Sequence, residues 1–549
     1  MADPGSESIQ PARHYSIDPQ ACIGCVLCMK ACPVKAIRVQ QRLAQIREDI
    51  CVDCGMCYRV CPHDAVRVAS TSLEEALRSP YSVAIAHPAL FSQFGYDVTP
   101  NQVLLALKRI GFTDVIDLSW VCEMSSVAIA DYLLSHPEIT PGISASCPVV
   151  LRLIAQHFPS LLPNVVPVLP SRLLAAKTLK TRLADRYGWR QDDLGVFLIS
   201  PCPAKMIAPQ DPINIANPYL DGVICFPEVY GALFKEIRTL EEDQTIFKSS
   251  GCGLAWGASG GQAEAVQVAG HTLAVAGFSE VMGILEVLEA GRLTELKFVE
   301  ARVCLDGSLG GPLTVENRYR ARSVLARIIK RHGTQSRVDR SRLRGMIDQG
   351  AFAWEYKIQP APTPPLAEEP AEAINRLQAI RNLCGRLPMS ECGVCGAPDC
   401  ATFAEDVVLG RTPRDRCPFL GANKEPKDEQ AEGRVMTVKE LVKELGLTVA
   451  AGQKGLEREV RGGYTSDLLS DVMAHAGAGA VWITIQAHQN VVAVAVLKEL
   501  AAVILAGGRQ PEAEAVAKAE EEGVPLLASA EDAFTLAGKL YGLRVFPSK

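Results

Sequence analysis

The chain has 549 residues, 48% hydrophobic and 21% charged, with a formal net charge of −6 and a mean hydropathy of +0.10. At roughly 150 residues per domain this is three or four domains with ample core, and the acidic balance disfavours nucleic acid as a partner. No run of about 18 apolar residues occurs: the longest, Val491 to Gly507, is interrupted by Lys498 and Glu499, so no membrane span is expected. Met1 to Gln10 is polar and lacks the basic and apolar parts of a signal peptide. With 19 cysteines, a reducing, cytoplasmic setting is expected.

Residues 1–80 carry one spacing twice: Cys22, Cys25, Cys28 and Cys32-Pro33, then Cys51, Cys54, Cys57 and Cys61-Pro62. Three thiolates in a tight turn can hold three corners of an iron–sulfur cube, and a fourth from a distant turn closes it. The alternatives are a disulfide framework, which suits small secreted domains, and zinc knuckles, which usually pair two Cys-x2-Cys elements. The pattern resembles two-cluster ferredoxins, where the fourth Cys of each run ligates the other cluster. That resemblance implies Cys22, Cys25, Cys28 and Cys61 for one [4Fe-4S] cluster, and Cys51, Cys54, Cys57 and Cys32 for the second. Tyr15-Ser16-Ile17, Ala36 to Val39 and Ala65 to Val68 read as short flanking strands.

From 81 to 335 strands and helices alternate. Val83 to Ala86 reads as a buried strand; Thr99-Pro100 opens a helix over Gln102 to Ile110 that stops at Gly111. Val115 to Leu118, Leu194 to Ile199, Gly222 to Phe226 and Leu296 to Val303 read as further strands. Strands separated by helices predict an α/β fold with parallel sheets.

Cys147, Cys202 and Cys304 each follow an apolar run, at the loop positions where parallel sheets place ligands. Their contexts are Ser146-Cys147-Pro148, Pro201-Cys202-Pro203-Ala204-Lys205, and Cys304-Leu305-Asp306-Gly307-Ser308-Leu309-Gly310-Gly311. These resemble, in order, the three active-site motifs of [FeFe]-hydrogenases, and Gly257 to Ala265 is similar to another signature of that family. The likeness covers residues 1 to about 325. It implies that Cys147, Cys202 and Cys304 ligate a cubane. The fourth ligand of the family, which bridges to a two-iron subsite, falls on Ser308, and its proton-relaying cysteine falls on Ser146. Lys205 matches the lysine that bonds a ligand of the two-iron unit, whereas Ala208 stands where a carboxylate is expected. A hydroxyl is a far poorer iron ligand than a thiolate, so the two-iron subsite and hydrogen turnover are not expected; Ser308 or Asp306 is the candidate fourth ligand. Cys122, Cys225 and Cys252 read as packed thiols, and His87 as a hydrogen-bonded core histidine.

Arg318 to Arg344 holds ten Arg or Lys residues, read as a solvated helix face in preference to a docking patch for an acidic ferredoxin or a nucleic acid. Residues 336–374 read as a linker that becomes Pro-rich between Tyr356 and Pro370. Residues 375–422 contain Cys392, Cys395, Cys400 and Cys417, similar to the small [4Fe-4S] domain of corrinoid iron–sulfur proteins and electron-transport complexes; zinc is the alternative. Cys384 has no ligand role in this reading. A polar linker (423–435) leads to 436–549, where Thr437 to Glu440 forms a capping box. Ala480 to Ile485, Ala502 to Leu505 and Val524 to Leu527 read as strands of a small parallel α/β domain. It resembles DRTGG-type domains, with Arg461-Gly462-Gly463 as the faint motif. Gly507-Gly508-Arg509, before a helix expected near Pro511, could hold an anion, and Asp467, His488 and Asn490 could line a pocket; a plain αβ turn and simple capping are the alternatives. No GxGxxG or P-loop occurs.

Together these readings predict about four [4Fe-4S] clusters in a hydrogenase-derived electron-transfer and redox-sensing protein. A ferredoxin or other redox protein is the expected partner, with a regulatory or hydrogenase-complex partner also compatible. The alternatives are an enzyme using the open iron of a three-Cys cubane, and a cluster carrier like the hydrogenase relatives of cytosolic iron–sulfur assembly.

Overall fold

The computed structural model describes residues 15–205, 219–354, 357–421, 436–543 and 545. Ala208 and the polar linker at 423–435 lie outside the described residues. Contacts divide the chain into two units, 1–422 and 423–549.

In the first unit the cysteine-rich start forms two small antiparallel pairs. Tyr15–Ile17 pairs with Val66–Val68, and Ile37–Gln40 pairs with Leu43–Ile46 through Gln41 and Arg42, both at positive φ. The return strand Leu43–Ile46 was not anticipated, because its Gln45 and short length hide the alternation. Short helices Leu27–Ala31 and Met56–Val60 carry the third thiol of each run, and the fourth, Cys32 or Cys61, is the C-cap.

Two parallel sheets follow. The first has the order Asp114–Asp117, Tyr81–Ala86, Leu194–Ser200, Gly222–Cys225. The second has the order His271–Ala276, Leu296–Arg302, Gly142–Ile143. Every residue of Leu194–Ser200 is buried, as expected of a strand covered on both faces. The strand expected to reach Leu118 ends at Asp117, whose carboxylate accepts from Ser119 N and caps helix Leu118–Ser135. The helix after Thr99 begins at Pro100 and carries a capping box between Thr99 and Gln102. The basic stretch forms two helices, Arg318–His332 and Arg340–Asp348, parted at Gly333. The second helix lies inside the span read as a linker. Leu343 and Phe352 are buried in the core, and Leu169 N donates to Phe352 O at 2.8 Å.

The small cysteine domain packs helix Pro370–Cys384 against Cys400–Val408 and docks on the dicluster module. Arg38 pairs with the buried Asp406, Lys35 Nζ lies 2.6 Å from Asp399, and Lys30 Nζ donates to Pro398 O at 2.6 Å and to Glu391 O. Val39 N donates to Gly396 O at 2.9 Å. Gly396 has φ +83°, and a Cβ there would lie 1.9 Å from Val39 O, so this approach requires glycine.

The second unit is a five-stranded sheet, Thr448–Ala451, Leu526–Ala528, Ala502–Leu505, Ala480–Thr484, Gly462–Thr465, parallel except for its first edge strand. Both Thr437 and Glu440 complete the expected capping box. The N–H groups of Gly507 and Gly508 are taken by the carbonyls of Glu531 and Ser529, and the next helix starts at Ala513, so that turn is a plain connection. Asp467 accepts from Thr484 Oγ1 (3.0 Å) and Ile485 N (2.9 Å). His488 Nδ1 accepts from Asn490 N. The first joins the ends of the neighbouring strands Gly462–Thr465 and Ala480–Thr484, and the second is a local cap. Among the described residues no helix is long and apolar enough to cross a membrane.

Asp406 also lies 3.5 Å from Arg411 and 3.9 Å from Arg47. Asp406→Ala leaves three guanidinium groups clustered, a loss expected to be about 3 kcal/mol. The small domain should then detach, read as faster amide exchange at 37–40 and faster proteolysis near 360–370. Unchanged protection would show that the ion pair does not hold the domain in place.

Candidate metal centres and the buried cavity

Cys22, Cys25, Cys28 and Cys61 surround one cavity, walled by Ile17, Val39 and Val66. The Cys28 thiol is pushed up to about 11, mainly by burial, with Cys22, Cys25 and Cys61 adding to the rise. The same signature groups the other four. Cys54 is driven well up by burial and further by Cys32, Cys57 and Cys51, and Cys57 by burial and then by Cys51 and Cys32. Backbone N–H groups reach the sulfurs: Ala36 N to Cys32 at 3.1 Å, Ala65 N to Cys61 at 3.3 Å, Ala44 N to Cys22 and Asp53 N to Cys51 at 3.5 Å. Such bonds favour the thiolate that a metal requires. Cys392, Cys395, Cys400 and Cys417 line a third cavity, against Phe403.

The two large sheets send their C-terminal ends to a fourth. His87 follows Tyr81–Ala86, Cys202 follows Leu194–Ser200, and Cys304 follows Leu296–Arg302; Cys147 caps helix Pro148–His157 after Gly142–Ile143. All four line one cavity, together with Ser146, Lys205 and Ser308. The thiol of Cys304 is raised far up by burial, then by Cys202, Cys147 and Cys54. Cys54 packs against the same apolar cluster as Cys147, Cys202 and Cys304, so the inner cysteine quartet lies beside this cavity. Cys22, Cys28, Cys32 and Cys57 share another cluster, so the two quartets are neighbours.

Of the two oxygen donors expected, only Ser308 lines the cavity. Asp306 turns to Arg322 Nη1 at 2.7 Å, with Arg318 Nε at 3.7 Å. Gly307 presses this loop onto the Gly257–Ala265 segment, since a Cβ there would be 2.7 Å from Ser259 N. Ser146 Oγ donates to Gln262 Oε1 at 3.2 Å, and Ser144 Oγ to the same atom at 2.7 Å. His87 Nδ1 accepts from Ala89 N at 3.2 Å, and burial first, then Lys205, Arg302 and Arg172, holds the imidazole neutral. It is therefore both a cap and a wall of the cavity. Cys122 also reaches it, donating to Ser171 Oγ at 3.5 Å. Cys252 and Cys225 do not line it, and Cys384 packs beside Cys400.

Sequence reasoning overlooked two arginines. Arg172 is 3% exposed; its Nη1 donates to Ser146 O at 3.5 Å, while Nε and Nη2 have no partner among the described residues. Burial pushes it down to about 10. Arg302 Nε lies 2.6 Å from the fully buried Glu300, off the hydrogen-bond axis, and its Nη1 donates to Trp256 O at 2.9 Å and Ser308 Oγ at 3.4 Å. A Glu and an Arg two apart in an apolar strand were a visible signal, because period two puts both on one face. Lys205, half-buried on the cavity wall, falls to about 8 through loss of water, against the pull of Cys202. Three converging thiols, with cationic N–H groups that lack protein partners, fit an anionic iron–sulfur cluster.

Comparison with protein families matches residues 10–69 to the 4Fe-4S dicluster domain and 81–274 to the iron only hydrogenase large subunit, C-terminal domain. Residues 387–419 match an Fe-S cluster family and 440–543 the DRTGG domain. Cys304 and Ser308 lie beyond the hydrogenase match. No curated protein matches the chain. Among solved structures, a variant of the [FeFe]-hydrogenase HydA1 from Chlamydomonas reinhardtii aligns at 19% identity, TM-score 0.40, covering 52% of this chain and 92% of that one. An apo form of another variant aligns at 17% identity and TM-score 0.38 over the same shares. The CBS and DRTGG domains of the regulatory region of Clostridium perfringens pyrophosphatase, complexed with diadenosine tetraphosphate, align at 15% identity and TM-score 0.18, covering 20% of this chain and 47% of that one. The four matched regions make this chain an iron–sulfur redox protein that joins a 4Fe-4S dicluster domain, an iron-only hydrogenase-type domain, a small Fe-S domain and a DRTGG domain.

Proposed function

We propose that the protein carries electrons to, and senses redox state at, a hydrogenase-derived cluster that does not turn over hydrogen. The ligand sets are Cys22, Cys25, Cys28 and Cys61; Cys32, Cys51, Cys54 and Cys57; Cys392, Cys395, Cys400 and Cys417; and Cys147, Cys202 and Cys304. When loaded, each cluster supplies one-electron transfer. The observation that carries the reading is the succession of these sets. The small domain, with Cys392 exposed, docks through Lys30 and Val39 beside the first quartet; that quartet adjoins the second, and the second adjoins the cavity. Electrons enter from a ferredoxin or similar redox protein in the cytoplasm. A regulatory or hydrogenase-complex partner would read the result, for which the attached DRTGG domain is the natural output.

Ser308 and Ser146 support the absence of turnover. Neither hydroxyl matches a thiol as bridge or proton carrier, because its proton is far more tightly held. Ser146 is moreover committed to Gln262.

Full anaerobic reconstitution should give about sixteen irons per chain with equal sulfide, as four cubanes require, and no hydrogen evolution or uptake even after supply of a two-iron cofactor. Iron near eight would remove two of the proposed clusters, and robust turnover would overturn the assignment of function.

Ser308→Cys tests the open corner directly. The wild-type cavity cluster should lose one iron on mild oxidation, giving a three-iron EPR signal, since oxygen ligands hold iron less covalently than thiolate. The substitution should suppress that signal without creating hydrogenase activity. Identical spectra and oxidation rates would show that position 308 does not face the cluster.

A further inference from the structure

We infer that the same cavity binds a small monocarboxylate, held beside the Cys147, Cys202 and Cys304 set by the side chains of Arg172, Arg302 and Lys205. The inference rests on reading that set as a three-thiolate cluster, and deepens it by naming the class of ligand.

Charge comes first. Among the described residues three cations line the cavity and no Asp or Glu does. Glu300 pairs with the Nε of Arg302. Two other buried carboxylates are nearby, and both are satisfied elsewhere. Asp117 accepts from Ser119 N and Ser249 Oγ; Glu123 accepts from Ser250 N and Oγ, Ser336 Oγ and Arg337 N. On the cavity wall itself the described cations outnumber the one paired carboxylate, Glu300, whereas an oxidised cubane on three thiolates carries roughly −1. A buried cation left without an anion beside it is strongly destabilising, which favours one further small anion.

Geometry selects the class. The two unpartnered donors of Arg172, Nε and Nη2, lie on one edge of the guanidinium, the edge that takes a carboxylate with two parallel bonds. The Nη2 of Arg302 is also buried without a partner among the described residues. A cluster sulfide could accept one such bond, but the planar fork is matched by a carboxylate. A halide would not use it. Apolar walls from Leu118 and Trp256 suit a short carbon chain and disfavour a strongly hydrated dianion.

The charge balance makes binding redox-dependent. Reduction adds one negative charge beside the site, so the carboxylate binds the oxidised state more tightly and, by linkage, lowers the cluster's potential. A tenfold preference corresponds to a fall of about 59 mV for a one-electron couple.

The test is a formate titration of the full-length, anaerobically reconstituted protein at constant ionic strength, with chloride as control. It is followed by calorimetry, by the EPR signal of the cavity cluster, and by its midpoint potential. Saturable heat, a shifted signal and a potential about 59 mV lower are expected with formate but not with chloride, and Arg172→Gln should weaken binding at least tenfold with its iron content retained. If Arg172→Gln fails to load iron, Lys205→Gln supplies the same comparison. No saturable response, or an equal response to chloride, in protein with a full complement of iron overturns the carboxylate site. Iron content short by one cluster refutes the cluster reading instead; formate heat measured on that protein then decides the site by itself, its presence supporting it and its absence sinking it.

Discussion

Burial opposes the ionisation of the thiols on which each metal centre depends. Cys28 and Cys202 rise to about 11, and Cys54 and Cys304 well beyond their usual range, in every case chiefly because water has been removed. A fold that hides these sulfurs is complete only when something positive replaces their protons. Iron would do so for the quartets, which would make metal loading part of their folding free energy. The N–H···S bonds at Cys22, Cys32, Cys51 and Cys61 add what the backbone can offer.

In the large cavity the protein itself supplies further positive charge. Arg172, Arg302 and Lys205 enter from three separate elements: the start of helix Ser171–Tyr187, the end of strand Leu296–Arg302, and the turn after Cys202. Their convergence depends on the parallel arrangement of both sheets, whose C-terminal ends face one space. The hydrogenase-type domain thus presents a cationic chamber, and the hydroxyl of Ser308 on its wall adds no negative charge to it.

Much of this was legible in the chain itself. Paired Cys-x2-Cys-x2-Cys-x3-Cys-Pro runs are long and periodic, and strands such as Leu194–Ser200 are uniform apolar runs bounded by clear breakers. The separation of Ser308 from Asp306 was not legible, because it depends on Arg318 and Arg322, a helix further on, drawing the carboxylate outward. Arg172 was hidden for another reason. A basic residue in the first turn of an amphipathic helix ordinarily faces solvent, and only the tertiary closure of Pro170 over the cavity buries it. The linker reading of 336–374 failed at its start: Leu343, Met346 and Ile347 recur at helical spacing, but among so many basic residues only their packing in the core shows that they are buried structure. In the second unit, Gly507-Gly508 looks like an anion cradle until the carbonyls of Ser529 and Glu531 are seen to occupy both N–H groups.

The contact between Arg38 and Asp406 spans 368 positions. Domains fold as units while a chain is being made, the N-terminal ones first. The dicluster segment is therefore made first, and the edge around Lys30 and Val39 stays uncovered throughout synthesis of the hydrogenase-type domain. It is closed only when the segment carrying Glu391, Gly396 and Asp406 has emerged. That interval is a window in which iron and sulfide donors can reach the first quartet from a side later sealed by protein. The timing of cofactor insertion is thus written into the distance between two halves of an ion pair.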